Sequence, residues 1–235
     1  LRILELVGVK HGMIALTKID LCDADDRELA TMDIADHVAG TFLQDAPMIG
    51  LSATTGEGLD EFIAALDALS QQSVPSSDHQ RPRLFIDRVF AAKGSGTVVT
   101  GTLTDGSFSI GDNVIITPSG REAKIRGIQT LGQAVESIEP GHRVALNLSG
   151  IEHSELLRGN VVIKDNTWHL SERVDASLQV LTSLSHVVSR RGAFTVHIGS
   201  DEIPARVRVL GPESIAPGNE GLVRLHLARA VPLLP

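Results

Sequence analysis

The sequence predicts an α/β unit on a parallel sheet in residues 1–70, followed by two all-β barrels in residues 83–168 and 169–235, the second incomplete. Three observations predict it. The first 70 residues alternate short apolar runs with helical periodicity, the pattern of a parallel sheet with crossover helices. Residues 71–82, QQSVPSSDHQRP, are polar, rich in Pro and Ser, and without either periodicity, which marks a linker. Beyond it helical patterns almost vanish, and Val/Ile/Thr runs alternate with the turn signals TDGSF, IGDN, TPSGRE, EPGHR and LRGN.

Taken in order, LRILELVG reads as the end of a helix and MIALTK as a short buried strand. DDRELATMDIADHVAGTF follows as a helix capped by Asp25 or Asp26, and PMIGLSA as a second strand. GLDEFIAALDALS places Leu59, Phe62, Ile63, Leu66 and Leu69 on one helical face. After the linker come the strands of the first barrel. From about Leu170, SLQVL, GAFTVHIG, IPARVRVL and EGLVRLHL are strand candidates of the second.

Composition narrows the class. The 235 residues, 42% hydrophobic, are enough for two or three domains. No run of about 18 uncharged apolar residues occurs, Cys22 has no partner for an internal disulfide, and no secretory signal opens the chain. The expectation is therefore a cytoplasmic protein with no membrane partner. The chain opens at Leu1 without Met and stops in apolar text, so it is expected to be a piece of a longer polypeptide. The net charge of −8 is uneven: residues 1–70 hold 4 Lys/Arg against 13 Asp/Glu, residues 81–143 hold 8 against 6, and residues 144–235 hold 9 against 9. A polyanion is expected to approach the later regions and avoid the first.

The stretch AAKGSGTVVTGTL, residues 91–103, has the glycines and lysine of a phosphate loop in the wrong order. A Walker loop places its lysine after the glycines and runs into a helix, so that amide N–H groups face the anion. Here Lys93 precedes Gly94 and Gly96, and Thr97-Val98-Val99-Thr100 is strand material. The stretch reads as a glycine turn between two strands.

A better nucleotide signal is Thr17-Lys18-Ile19-Asp20, where the strand MIAL ends. Ligands of open α/β sheets sit at carboxyl strand ends. A carboxylate there can accept both N–H donors of a guanine edge, while a lysine stem lies along the purine. Alone, TKID reads equally well as a strand end whose Asp caps the next helix. The next strand, however, ends about 32 residues later in Ser52-Ala53-Thr54, where a backbone N–H can point at the guanine carbonyl. Two such elements with a helix between them favour the guanine reading.

With these motifs in view, the chain resembles a translational GTPase: part of the GTP-binding domain followed by two β-barrels, as in elongation factor Tu. ALTKID, LSATTGEGLDE, FIDRVFAAKGSGTVVTGTL and HRVALNLSG are most similar to selenocysteine-specific elongation factors of the SelB type. The resemblance covers essentially the whole chain. It implies that residues 1–70 are the C-terminal part of a P-loop GTPase domain, with Thr17, Lys18, Asp20, Ser52, Ala53 and Thr54 binding the guanine of GTP or GDP. Thr17 stands where most relatives have Asn. The phosphate loop, the switch segments and the Mg²⁺ ligands would lie before Leu1, so this polypeptide would have no catalytic residues and would not hydrolyse GTP.

The resemblance also places Asp87, Arg88 and Arg143 in the pocket that receives the aminoacyl group. Chemistry agrees, because a selenol is largely ionised at neutral pH, a serine hydroxyl is not, and guanidinium groups favour the anion. At roughly 1.5–3 kcal/mol per charge-assisted hydrogen bond, two arginines give a preference of about 10² to 10⁴ for selenocysteinyl over seryl tRNA. Asp87 is expected to orient and partly neutralise Arg88. From the residues alone, Asp87–Arg88 reads as a surface ion pair and Arg143 as a cap after Pro140-Gly141.

The implied partners are selenocysteinyl-tRNA, the ribosome and, through a C-terminal region outside this chain, the selenocysteine insertion hairpin of messenger RNA; the resemblance suggests a monomer. The competing readings are a factor for ordinary aminoacyl-tRNA, like elongation factor Tu or an initiation factor, and a non-catalytic β-barrel RNA-binding module. Nine histidines show no HExxH or similar spacing, which argues against a metal site. His186 and His197, with Arg190 and Arg191 between them, read either as an RNA-backbone patch or as turn and solvated-face residues. Trp168 is expected to anchor the junction between the barrels.

Overall fold

The computed structural model describes residues 1–72, 78–92, 96–164, 167–189 and 191–233. Contacts divide the chain into two compact units, Leu1–Pro75 and Ser76–Pro235.

In the first unit α1 spans Arg2–Leu6, β1 Ile14–Thr17, α2 Ala24–Val38, β2 Met48–Leu51 and α3 Leu59–Gln71. β1 and β2 pair in parallel from Ile14 opposite Met48 to Thr17 opposite Leu51, so both strands end side by side. The cap of α2 is Asp23, whose carboxylate accepts the Asp26 N–H at 2.9 Å. Asp25 and Asp26 lie in the first turn instead, where negative charge complements the helix dipole. Along α3, Leu59, Phe62 and Leu69 are half-buried, whereas Ile63 and Leu66 remain exposed. Among the described residues here, Ile19, Val38 and Leu51 are the buried apolar ones.

The second unit begins with a barrel. β3 spans Arg83–Ala92, β4 Gly96–Thr104, β5 Phe108–Ser109, β6 Asn113–Thr117, β7 Arg121–Thr130, β8 Gln133–Val135, β9 Ser137–Ile138, β10 Arg143–Ser149 and β11 Val161–Lys164. The order β10-β4-β3-β11-β6-β7-β8, with β10 also paired to β7, closes the sheet on itself. Period-two alternation explains the closure: in β10, Val144, Leu146 and Leu148 are buried while Arg143, Ala145 and Asn147 face outward. Leu84, Ile86, Val99, Leu103, Phe108 and Ile116, all fully buried, belong to one core inside the barrel. β3 and β4 pair antiparallel through to Ala92 opposite Gly96. The proposed turn residues Lys93 and Gly94 lie outside the described residues.

The remaining strands are β12 Leu170–Gln179, β13 Val188–Ser189, β14 Arg191–Ile198, β15 Asp201–Val209, β16 Ser214–Ile215 and β17 Glu220–Pro232. They form a four-stranded sheet, β12-β17-β15-β14, and the pair β13–β16. Val180, Val207, Val209, Ile215 and Val223 lie in the core between them. Trp168 packs with Phe85, Val161 and Ile163 of the barrel and with Ile198 of β14. Its indole N–H donates to the Pro82 carbonyl at 3.2 Å, and Arg83 stacks 4.3 Å over its ring while donating to Pro232 O at 2.8 Å. The two β bodies are thus joined by an apolar seam crossed by hydrogen bonds.

Candidate functional site

At the strand ends of the first unit, Lys18 turns the chain with φ +63° and is followed by a 3-10 turn, Ile19–Leu21. The left-handed residue aims Lys18 and Asp20 away from the buried Ile19, and Thr17, Lys18 and Asp20 are exposed. Beside them, the buried Ser52 turns its hydroxyl inward to accept the N–H groups of Thr54 and Thr55, both at 3.2 Å. Ala53 and Thr54 are exposed, and the Ala53 N–H makes no hydrogen bond among the described residues. Arg27 ties the two loops, donating to Ile19 O at 2.6 Å and to Glu57 at 3.0 Å. Gly58 lets the second loop close: a Cβ there would lie 2.0 Å from Gly50 O. All six residues singled out for guanine therefore emerge from neighbouring parallel strand ends. They present a carboxylate, a lysine stem and a free N–H.

On the barrel, Asp87 is the extra residue of a β-bulge. Ile86 faces Gly101 and Arg88 faces Thr100, so Asp87 has no cross-strand partner and is re-aimed. Gly101 permits the approach, since a Cβ would lie 2.2 Å from Phe85 O. The Asp87 carboxylate accepts Arg143 Nη1 at 2.5 Å and Nη2 at 2.9 Å, and Thr100 Oγ1 at 2.7 Å. Partial burial pushes the Asp87 pKa up, but the hydrogen bonds from Arg143 and Thr100 and the charges of Arg143 and Arg88 outweigh it. The carboxyl sits below its usual range. In return, the Asp87 hydrogen bond and charge raise the Arg143 pKa.

The expected pairing of Asp87 with Arg88 is replaced by a bidentate clasp on Arg143, because the bulge turns Asp87 toward β10. Arg88 is exposed and makes no hydrogen bond or ion pair among the described residues. It is the cation in excess of this cluster. Thr100, which the sequence reading missed, completes the clasp. Its signal was its place in the alternating run Thr97–Thr100, two residues from Thr102, which faces Arg143.

The same outer face continues along β4 and β10 into a groove of about 530 Å³. Phe90, 45% exposed, and Val98 form an apolar side, Asn147 lies opposite, and the buried Asn147 Oδ1 has no hydrogen-bond partner.

The 186–197 patch is not assembled among the described residues. His186 is exposed in a turn, His197 stands 3.9 Å from Glu202, and Arg190 and the Arg191 side chain lie outside the described residues. The outer face of the four-stranded sheet instead aligns Arg206, His226 and Arg173 in one cross-strand row and Arg208, Arg224 and Asp175 in the next. Among the described residues, only Arg224 of these is held by a carboxylate, Asp175, at 2.7 and 2.8 Å. The alternation of IPARVRVL and EGLVRLHL carried that signal.

Comparison with known proteins gives a consistent picture. Residues 96–163 match the family described as elongation factor Tu domain 2. The chain is 37% identical over 232 residues, 99% of its length, to a selenocysteine-specific elongation factor of Desulfomicrobium baculatum. It is 28% identical over 210 residues to the selenocysteine-specific elongation factor of Methanocaldococcus jannaschii, covering 88% of this chain. It spans 37% and 45% of the lengths of these two relatives. The fold matches the crystal structure of a bacterial selenocysteine-specific elongation factor with TM-score 0.80 at 23% identity, over 99% of this chain and 37% of that one. It matches the elongation factor SelB of Methanococcus maripaludis with TM-score 0.78 at 22% identity, over 94% and 52%.

Proposed function

We propose that this chain, a relative of the selenocysteine-specific elongation factors over essentially its whole length, is the guanine-reading and cargo-holding part of such a factor. In complete form the protein binds GTP and delivers selenocysteinyl-tRNA to the ribosome at recoded UGA codons. Asp20 accepts the two N–H donors of the guanine edge, the Lys18 stem lies along the purine, and the Ala53 N–H meets the base carbonyl. Ser52 and Thr54 fix that loop, and Thr17 ends the strand that places it. Asp20, Lys18 and the Ala53 N–H would hold GTP by its base, and the nucleotide with Mg²⁺ would supply the hydrolysis chemistry in the complete protein. The 235 residues contain no G-x-x-x-x-G-K-[ST], so the phosphates and Mg²⁺ are assigned to other parts of that protein. The region that reads the messenger RNA hairpin is likewise assigned elsewhere in it.

The observation that carries the cargo assignment is the clasp on Asp87 beside the unpaired Arg88. Asp87 and Arg143 neutralise each other, and Arg88 leaves the cluster one positive charge in excess. An ionised selenol entering there gains a charge-assisted hydrogen bond that a neutral seryl hydroxyl matches only weakly. The Asp87 clasp holds the outer-face geometry of Arg143 for the acyl group.

The test is binding of selenocysteinyl-tRNA and seryl-tRNA to the full-length polypeptide. Arg88→Ala is expected to lower the selenocysteinyl preference by about tenfold or more, one charge-assisted hydrogen bond. Arg143→Ala is expected to lower it further, because Asp87 then remains as an uncompensated anion. Unchanged discrimination in both variants overturns the pocket. Equal binding of the two tRNAs by the parent protein points instead to a factor for ordinary aminoacyl-tRNA.

A further inference from the structure

The two loops at the carboxyl ends of β1 and β2 leave the sheet at Thr17 and Leu51, and beyond those residues the parallel ladder no longer holds them together. Among the described residues, the hydrogen bonds between the loops come from one side chain, Arg27 of α2. Its Nη2 donates to Ile19 O at 2.6 Å and its Nη1 to Glu57 Oε1 at 3.0 Å. Both anchor points adjoin the groups assigned to the base. Ile19 O belongs to the peptide group that leads into Asp20. Glu57 O accepts the Ser52 N–H at 2.9 Å, and Ser52 O accepts the Gly56 N–H at 2.9 Å, so Glu57 is tied to the residue before Ala53.

The helix itself has little use for this cation. Arg27 is the fourth residue of α2, close to the positive end of the helix dipole, where Asp25 and Asp26 are the residue types that end favours. Its Nε is buried and has no hydrogen-bond partner among the described residues, a cost that a side chain left in water would avoid. What Arg27 supplies in return is a fixed distance. A guanidinium is planar and rigid, so contacts from Nη1 and Nη2 together hold their two acceptors at one separation, which a flexible lysine stem cannot do. Guanine needs such a separation, because its edge carries two N–H donors and a carbonyl side by side. The carboxylate and the amide that read them must stand at matching positions at the same time.

We infer that Arg27 is a positioning residue of the guanine site: it sets the separation between the Asp20 carboxylate and the Ala53 N–H, and through it the choice of base. The inference rests on the guanine reading given above and adds to it a residue that never touches the nucleotide.

The experiment measures binding of GDP and IDP to the full-length polypeptide by calorimetric titration at constant Mg²⁺. Hypoxanthine keeps the carbonyl and one ring N–H of guanine and lacks the exocyclic amino group, so the GDP-to-IDP ratio reports how well Asp20 takes both donors. Arg27→Ala is expected to lower GDP affinity by about tenfold or more, the worth of one hydrogen bond to a carboxylate, and IDP affinity less, so that the ratio falls. Glu57→Ala, a change at an exposed residue, is expected to lower the ratio likewise, and the double variant to be no worse than Arg27→Ala alone. Glu57→Gln, which keeps the acceptor oxygen, is expected to preserve the ratio. Asp20→Ala is the reference, with a ratio near one. An unchanged ratio in both Arg27→Ala and Glu57→Ala, with Asp20→Ala collapsing it, overturns the role of Arg27 and leaves the guanine reading standing. Equal losses of GDP and IDP in Arg27→Ala also overturn it, since the residue would then serve only the stability of the unit. Additive effects in the double variant overturn the bridge. An unchanged ratio in Asp20→Ala overturns the guanine reading itself, and the role of Arg27 with it.

Discussion

Asp87 shows how one carboxylate sets the charge of its surroundings. Its folded pKa lies below the usual carboxylate value, about 3.9, because Arg143 and Thr100 bind the ionised form more strongly than burial penalises it. Between the folded and unfolded pKa values the unfolded state therefore binds more protons, and stability rises with pH. The contribution is fully present above about pH 4 and is lost as pH falls through the folded pKa. Asp87→Asn removes it at every pH. The expected outcome is a variant less stable than the parent at pH 7, with the difference closing toward pH 3. Urea unfolding followed by the fluorescence of Trp168, the one tryptophan, measures both. A difference that stays constant with pH would refute a carboxylate-based clasp. The residue types of this site were legible in the sequence, since FIDRVF and GHRVALN name the ions. Their pairing was not, because it depends on which of two adjacent outward residues the bulge swings toward β10.

Bulges are the elements that the sequence records only as a break in rhythm. In REAKIRGIQT the inward residues Ala123, Ile125 and Ile128 are spaced by two and then by three, and the extra step is Arg126. In FIDRVF the break is two consecutive polar residues where strict alternation allows one. Strands, helices and turns were readable because periodicity and turn chemistry are local. Register is set by backbone contact between distant strands, so the sequence pointed to a barrel but not to which strand pairs with which, or to where the ladders slip. The cap of α2 was misplaced within one acidic cluster for a related reason: Asp23, Asp25 and Asp26 have the same chemistry, and only backbone geometry selects among them. Two glycines of β4 test the bulge directly. At Gly101 a Cβ would lie 2.2 Å from Phe85 O and 2.7 Å from Leu84 Cδ2, whereas at Gly96, with φ +77°, no atom lies within 4 Å. Gly101→Ala is expected to destabilise the barrel by roughly 3 kcal/mol through overpacking against backbone. Gly96→Ala is expected to cost only about 1 kcal/mol, from its left-handed backbone. Equal costs in urea unfolding would mean that the bulge yields freely.

For the whole molecule, the two units differ in how much of their apolar surface is covered. In the first, three apolar residues are buried among the described residues, while Leu29, Met32 and Ile63 remain 65%, 61% and 54% exposed. In the second, closed ladders surround a core that includes Leu84, Ile86, Phe108, Ile116 and Leu146, all at 0% exposure. Hydrophobic burial of about 25 cal/mol per Å² has to offset the conformational entropy of every ordered residue, and the first unit has little burial to set against it. It should therefore unfold first, as a separate transition. The chain contains its own probes for this: α1, α2 and α3 all lie before residue 72, whereas Trp168 is buried in the second unit. Helical ellipticity at 222 nm is expected to fall at a lower urea concentration than Trp168 fluorescence changes, and GTP or GDP in excess is expected to move only the first transition upward. Two superimposable curves would refute separate units. An upward shift confined to the fluorescence curve would place the nucleotide on the β bodies and remove guanine from Asp20.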